Sequence, residues 1–251
     1  MKPSRPLTPE ERAIWRWQTW VPGFGVEGQR KLRAATVLIS RCGGLGGAAA
    51  LELAAAGVGR LVLAHGGKAE FSDLNRQILL TRRDVGRPRI RSFARRLREF
   101  NPLVEVVGVG ENVHARNVAA LVSRADLVVD CAPIFAERFL LNREAVRQGK
   151  PLVECAMYEL EGQLTTILPG RTPCLRCLYP AAPRWRRRFP VFGAVAGAAG
   201  CLAAMEAIKV LTGLGEPLAG RLLTFDLRTF EFRAVQVLRD PTCPVCSRRK
   251  P

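Results

Sequence analysis

The chain has 251 residues, a length that suits one large domain or two small ones. Hydrophobic residues make up 48% of it, an ordinary share for a protein that buries a core, and no uninterrupted apolar stretch reaches the roughly 18 residues of a membrane-spanning helix. The net charge of +17 comes from 39 basic against 22 acidic residues; only six of the basic residues are lysines, and neither an aromatic-rich RNA motif nor a helix-turn-helix signature goes with them, so the charge points to an acidic partner or a phosphate ligand rather than to nucleic acid.

The first residues, "MKPSRPLTPEER", contain no apolar signal region, so a cytoplasmic protein is expected, with no membrane association. Residues 8–33 read as a helical lead-in, broken by a turn at "PGFG". From residue 34 to about 160 short apolar runs alternate with helical stretches. "ATVLIS" reads as a buried strand, "GLGGAAALELAAAG" as a helix closed by Gly57, and "RLVLA" as the second strand. An Arg-rich amphipathic helix, "RPRIRSFARRLREFN", carries Ile90, Phe93 and Leu97 on one face. "VEVVGV", "ADLVVDC" and "PLVECA" follow as strands, separated by the helices "ARNVAALVSR" and "ERFLLNREAVRQG". Strand–helix alternation predicts an α/β fold: a doubly wound, Rossmann-like, mostly parallel sheet. Residues 161–251 predict a C-terminal antiparallel extension, from "GQLTTILP" and "GRLLTFDLRTFEFRAVQVLR". Between these lies a long helix, "FGAVAGAAGCLAAMEAIKVLTG", whose Gly and Ala content predicts a close neighbour. "APRWRRRFP" at 182–190 reads as a ligand-facing loop. No internal repeat divides the chain, and 1–251 is expected to be one domain.

"ISRCGGLGG", Ile39 to Gly47, has the setting of a nucleotide-binding turn. Backbone N–H groups in such a turn approach phosphate oxygens, and the helix N-terminus adds partial positive charge. Gly43, Gly44, Gly46 and Gly47 are available for this, but Arg41 stands where the first glycine of G-x-G-x-x-G belongs, and His65 where an acidic residue would hold the ribose. The alternative is a tight turn that only packs helix on strand. Eight cysteines are present. Cys42, Cys131, Cys155 and Cys201 lie in apolar or glycine-rich surroundings and read as buried small hydrophobes. Cys174 with Cys177, and Cys243 with Cys246, form two Cys-x-x-Cys pairs. In a chain without a secretion signal these point to one closed tetrahedral zinc site, the alternative being two unrelated turns with reduced thiols.

"GGLGG", "SDLNRQILLTRRDVGRPRIRS", "PCLRCLYP", "CLAAMEAIKVLTGLGEPLAGRLLTFDL" and "RDPTCPVC" occur in order, and through them residues 8 to 248 resemble the ThiF/MoeB/HesA superfamily, the bacterial relatives of ubiquitin-activating enzymes. "SRCGGLGG", "LAHGG" and "VECAMYELEGQLTT" look most like the HesA branch, which is associated with nitrogen-fixation gene clusters. The resemblance implies ATP at the glycine turn and attack of a small ubiquitin-like or sulfur-carrier protein's C-terminal carboxylate on the α-phosphate. It also implies an acyl-adenylate product, a homodimer, and zinc on the two cysteine pairs.

Carried over position by position, the resemblance assigns Gly43, Gly44, Leu45 and Gly46 to the nucleotide turn, and Asn75, Arg76, Gln77 and Arg89 to the nucleotide's phosphate side, with Arg41 and His65 beside them. Arg76, Arg89 and Asp130 become the catalytic candidates. Asp130 is either a group that helps place magnesium or a strand-end carboxylate capping the next turn. Three acidic positions of the pattern have become His65, Gly67 and Pro133, which leaves Asp73 and Asp130 as the nearby carboxylates for Mg2+, with Arg41 offsetting phosphate charge. The N-terminal arginine of the pattern falls on Trp17, beside Arg16, and the crossover segment "AAPRWRRRFPVFG" lacks the cysteine of carrier-thiolating members. Three functions compete: an adenylyltransferase in metal-cofactor or sulfur assembly, a catalytically degenerate dimeric scaffold that binds carrier or nucleotide, and a dinucleotide oxidoreductase.

Overall fold

The computed structural model describes residues 5–183 and 189–247; most of the Arg-rich loop expected at 182–190 lies outside the described residues. Eight strands form one sheet in the order β3-β2-β1-β4-β5-β6-β7-β8. The first five are β1 (Thr36–Ser40), β2 (Arg60–Ala64), β3 (Glu105–Val109), β4 (Leu127–Asp130) and β5 (Leu152–Tyr158), all parallel to one another. β6 (Glu161–Ile167), β7 (Arg221–Asp226) and β8 (Glu231–Gln236) continue it antiparallel, as the texture of the sequence predicts.

The parallel strands are apolar throughout because both faces are covered. Val37 and Ile39 of β1 enter the core on one face and Leu38 the core on the other; Leu127 and Val129 against Val128 repeat the pattern on β4. Helices α3 (Gly25–Ala34), α4 (Gly44–Ala55), α5 (Arg89–Phe100) and α9 (Gly193–Thr212) cover the first face. Helices α6 (Val118–Ser123), α7 (Phe135–Gln148) and the single turn α8 (Leu175–Leu178) cover the second.

The lead-in splits into α1 (Pro9–Ile14) and α2 (Arg16–Thr19) ahead of α3. Thr8 starts α1 with a capping box: its hydroxyl accepts from Glu11 N (3.1 Å) and the Glu11 carboxylate accepts from Thr8 N (2.7 Å). The same buried carboxylate pairs with Arg5 and with Arg33 of α3, which docks the lead-in on the sheet domain. Gly57 ends α4 at φ +83, and a Cβ there would lie 2.3 Å from the Trp15 ring, so both backbone and packing require glycine.

The close neighbour of the Gly/Ala-rich helix is α4. A Cβ on Gly200 would sit 2.4 Å from the Leu45 carbonyl oxygen, so the two helices cross nearly backbone to backbone. By length and composition α9 is apolar enough to cross a membrane, although Glu206 and Lys209 interrupt its apolar run; in the fold it runs along α4 and over β5 and β6. Cys201 is also a correction. It is exposed, because Gly197, Cys201 and Met205 lie four residues apart along the outer stripe of α9.

In the parallel part the strand order reverses between β1 and β4, which lie side by side with Ser40 opposite Asp130. Ligands of doubly wound sheets bind outside the carboxyl ends of the strands at such a switch point. The loops after Ser40 and after Asp130 therefore bound the place where a site is expected.

Candidate functional site

A cleft of about 490 Å3 opens there. Its first wall is the turn between β1 and α4. Arg41 adopts φ +57, a left-handed conformation that glycine would take more easily, and its carbonyl accepts from Gly43 N at 2.6 Å. Gly43, Gly44 and Leu45 line the cleft. A Cβ on Gly44 would fall 3.1 Å from Arg76 Cγ and 3.2 Å from Ala196 Cβ, so this glycine lets three elements meet. Gly46 does not line the cleft; a Cβ there would strike the Arg41 carbonyl oxygen at 2.6 Å, so it serves the turn alone.

Arg41 reaches the cleft but its guanidinium forms a two-pronged pair with Glu137, at 2.7 Å for Nε and closer still for Nη2. Arg41, expected to offset phosphate charge, is thus paired with a carboxylate here, as Arg89 is with Asp73.

The second wall is organised by buried Asp73. One oxygen accepts from Arg89 Nε (2.9 Å), Arg89 Nη2 (2.7 Å) and Glu70 N (3.0 Å); the other accepts from Gln77 Nε2 (2.7 Å) and Arg76 Nη2 (3.4 Å). Arg76 also donates to the Ser72 carbonyl (2.7 Å) and Asn75 Oδ1 (2.8 Å). With both oxygens engaged, Asp73 is an anchor for two arginines. Arg76, Gln77 and Arg89 line the cleft, whereas Asn75 lies outside it, exposed, holding Arg76 and the Val191 carbonyl. Gly67 has φ +85 and a Cβ there would lie 2.8 Å from Arg89 Nη1, so an acidic side chain is absent where the guanidinium passes.

His65 lines the cleft, buried against Phe93 with ring centroids 5.4 Å apart, and its Nδ1 has no partner. Burial, then Arg41 and Arg89, lower its pKa to about 4, opposed by Asp73 and a backbone group of Cys42. The unfolded imidazole takes a proton near 6.5, so between about pH 6.5 and 4 the unfolded chain binds more protons and stability falls as pH falls. From pH 7.5 to 5 this amounts to about 2 kcal/mol at the standard conversion per pH unit. Urea unfolding at both pH values should show wild type losing that much more stability than His65→Gln. Equal losses would refute the assignment.

Beneath the cleft lies a buried ionic chain. Asp130 of β4 is opposite Glu154 of β5 in register, and both are within 1% of full burial. Arg138 of α7 lies between them, its Nη1 2.6 Å from Glu154 Oε1 and 3.7 Å from Asp130 Oδ2. Gln163 Nε2 is 3.4 Å from each Glu154 oxygen, and its own carbonyl accepts from the Tyr179 hydroxyl at 2.8 Å. Asp130 Oδ1 accepts from Ser40 Oγ (3.1 Å) and Ala132 N (2.9 Å), the expected strand-end cap, while Oδ2 has no hydrogen-bond partner. Burial raises the pKa of Asp130, against the pull of Arg138, and lifts that of Glu154 to about 7. Arg138, Gln163 and Tyr179 line the cleft, and with Glu137 and Glu154 they are the site residues that sequence reasoning missed. The available signal was a charge, Glu154, inside the apolar run "PLVECA".

The four paired cysteines converge on the second face. Their sulfur atoms all lie within 4.8 Å of one another, with Cys174–Cys243 at 3.6 Å and Cys177–Cys246 at 3.4 Å. A tetrahedron of thiolates about 2.3 Å from one ion has edges of roughly 3.8 Å, so this set can hold zinc.

A doubly wound sheet with a glycine turn and a basic cleft at its switch point defines an α/β protein of Rossmann-like class. The ThiF family model matches residues 16–245, and the chain belongs to that family. It is 49% identical over 246 residues to Protein HesA of Leptolyngbya boryana, covering 98% of this chain and 89% of that one. It is 40% identical to the sulfur carrier protein adenylyltransferase of Thermus thermophilus, over 95% and 92% of the two chains. Among solved structures, E. coli MccB with ATP superposes with a TM-score of 0.81 at 25% identity, over 89% of this chain and 70% of that one.

Proposed function

We propose that the chain is an ATP-dependent adenylyltransferase that activates the C-terminal carboxylate of a small ubiquitin-like or sulfur-carrier protein, in metal-cofactor or sulfur assembly. The observation that carries this reading is the pair Arg76 and Arg89, hung on Asp73 beside Gly43 and Gly44 at the N-terminus of α4. Two guanidinium groups beside the N-terminus of a helix make an anion site of the kind a triphosphate fills. In the reaction a carboxylate oxygen of the carrier bonds to the α-phosphorus, the bond to the bridging oxygen breaks, and pyrophosphate leaves with the electron pair. The carboxylate enters as an anion, so no proton has to move. This chain's residues bind and orient: Arg76 and Arg89 hold the phosphates, and His65, neutral above about pH 4, faces the sugar side.

Magnesium, when bound, would offset phosphate charge; Asp130 is the carboxylate we assign to help place it, and it lies wholly buried behind Arg138, 3.7 Å away, outside the cleft wall. Zinc on Cys174, Cys177, Cys243 and Cys246 would be structural. We read residues 1–251 as one working unit that acts as a homodimer in the cytoplasm, with the nitrogen-fixation setting of HesA proteins as its context. Without a cysteine in the crossover segment, the product leaves as an acyl-adenylate to an external sulfur or amine donor.

The scaffold reading is favoured by Pro133 in the cleft wall and by the pairing of Arg41 with Glu137. ATP–pyrophosphate exchange separates the two. Exchange that appears when a carrier ending in Gly-Gly from the same cell is added supports the enzyme. ATP binding without exchange with any such carrier supports the scaffold.

A further inference from the structure

Two polar side chains in the cleft wall each keep a buried acceptor unused. His65 is 6% exposed and Gln77 5%, yet His65 Nδ1 and Gln77 Oε1 have no hydrogen-bond partner among the described residues. Both side chains line the cleft and both border Gly43: a Cβ there would lie 3.5 Å from His65 Cε1 and 3.7 Å from Gln77 Nε2. Neither group is free to turn away. Gln77 Nε2 donates to Asp73 at 2.7 Å, which fixes which end of the amide is the oxygen. His65 packs on fully buried Phe93, and its backbone hydrogen bond with Cys42 favours added proton, so a ring N–H meets the Cys42 carbonyl. Since Nδ1 is the nitrogen without a partner, that N–H is on Nε2 and Nδ1 presents a bare lone pair. Burial, Arg41 and Arg89 all oppose a second proton, so the ring is neutral. An unpaired buried acceptor is costly, and here two of them, from two parts of the chain, meet at one turn.

We infer that His65 Nδ1 and Gln77 Oε1 together read a pair of neighbouring hydroxyl groups, the vicinal diol of a ribose, and so select a ribonucleotide over its deoxy forms. This rests on the nucleotide-binding reading above and adds to it the part of the ligand that these two residues recognise. Both atoms can only accept, so whatever fills them has to donate. A hydroxyl does so, whereas the oxygens of an ionised phosphate do not. In dinucleotide-binding sheets a carboxylate at the end of the second strand accepts from the ribose. Here His65 follows the second strand and Gln77 comes from the segment after Asp73, so two neutral groups divide the work of one carboxylate. They add no negative charge beside the phosphates.

The test compares ATP, 2′-deoxy-ATP and 3′-deoxy-ATP by calorimetry, in wild type, His65→Ala and Gln77→Met. In wild type each deoxy nucleotide should bind roughly tenfold more weakly than ATP, the scale of leaving one buried acceptor unpaired. His65→Ala should lose the discrimination against one deoxy nucleotide and keep it against the other. Gln77→Met, which keeps the length of the side chain without its oxygen, should do the reverse. A merely structural role would weaken all three nucleotides together and leave their ratios as in wild type, and that result overturns the inference. So does a wild type that binds the deoxy forms as tightly as ATP, the outcome expected if water rather than ligand meets the two acceptors. In both cases the nucleotide reading survives, whereas a wild type that binds none of the three sinks it. Should His65→Ala not fold, His65→Leu fills more of the volume without an acceptor and should give the same ratios.

Discussion

Asp130→Asn is expected to lower carrier-dependent ATP–pyrophosphate exchange by roughly a hundredfold, the scale seen when a positioned charge-stabilising group is lost. The fold should not suffer. The amide oxygen of Asn can still accept from Ser40 Oγ and Ala132 N, which is the structural work Oδ1 does. The substitution also removes one of two negative charges that share Arg138, leaving a one-to-one pair with Glu154. Burial already raises the pKa of Asp130, so its ionised form costs the folded state free energy. Melting temperature should therefore stay level or rise while exchange collapses. Exchange within a few-fold of wild type would remove Asp130 from the catalytic candidates. A large fall in melting temperature would instead mark it as a cap and no more.

Cys243→Ser is expected to act in the opposite way, on stability first. A structural zinc site contributes on the order of 10–16 kcal/mol of apparent binding free energy, against about 5–15 kcal/mol for the whole stability of a typical domain. Here the site joins the turn at 174–177 to the stretch at 243–246, a separation of 69 residues between facing cysteines. After β8 ends at Gln236 the described chain forms no further helix or strand, so the buried cysteines are its principal attachment. Metal analysis should find one zinc per wild-type chain. The variant should lose it, together with many degrees of melting temperature, and a strong chelator should do the same to wild type. Less than about one-tenth equivalent of zinc in undenatured wild type would end the claim.

The five parallel strands could be read from their apolar runs because each is covered on both faces, and a run such as Val37–Leu38–Ile39 has no other use. β5 was harder. The strand was read to Ala156, but pairing with β6 carries it to Tyr158, where a two-residue turn follows in which Glu159 takes φ +55. The four cysteines were legible because the spacing within each pair carries their chemistry; Arg76 and Arg89 were singled out only through the family resemblance. Arg138 and Glu154 were not, since what joins them is the register of β4 on β5 and one face of α7, neither of which leaves a local pattern. For the same reason the sequence could name Arg41 and Asp73 but not say that each is already committed to a partner. The exposure of Cys201 depends on which side of α9 meets α4, which composition alone does not tell.

The central position of β1 has a consequence for the order in which the molecule can be completed during synthesis. The glycine turn is finished in the chain by residue 47, but β1 bonds on one side to β2 and on the other to β4, whose Asp130 lies ninety residues beyond Ser40. Its flank closes later still, when Ala196 of α9 comes to rest against Gly44. A ribosome working from the N-terminus therefore produces the most recognisable part of the site early and holds it without its floor while β4 is made. It then lacks its side wall until α9 has emerged. Sequence-distant pairing of this kind is slow to form, and the exposed β2 and β1 edges wait for it. The turn that announces the protein in its sequence is among the last places in the molecule to become a site.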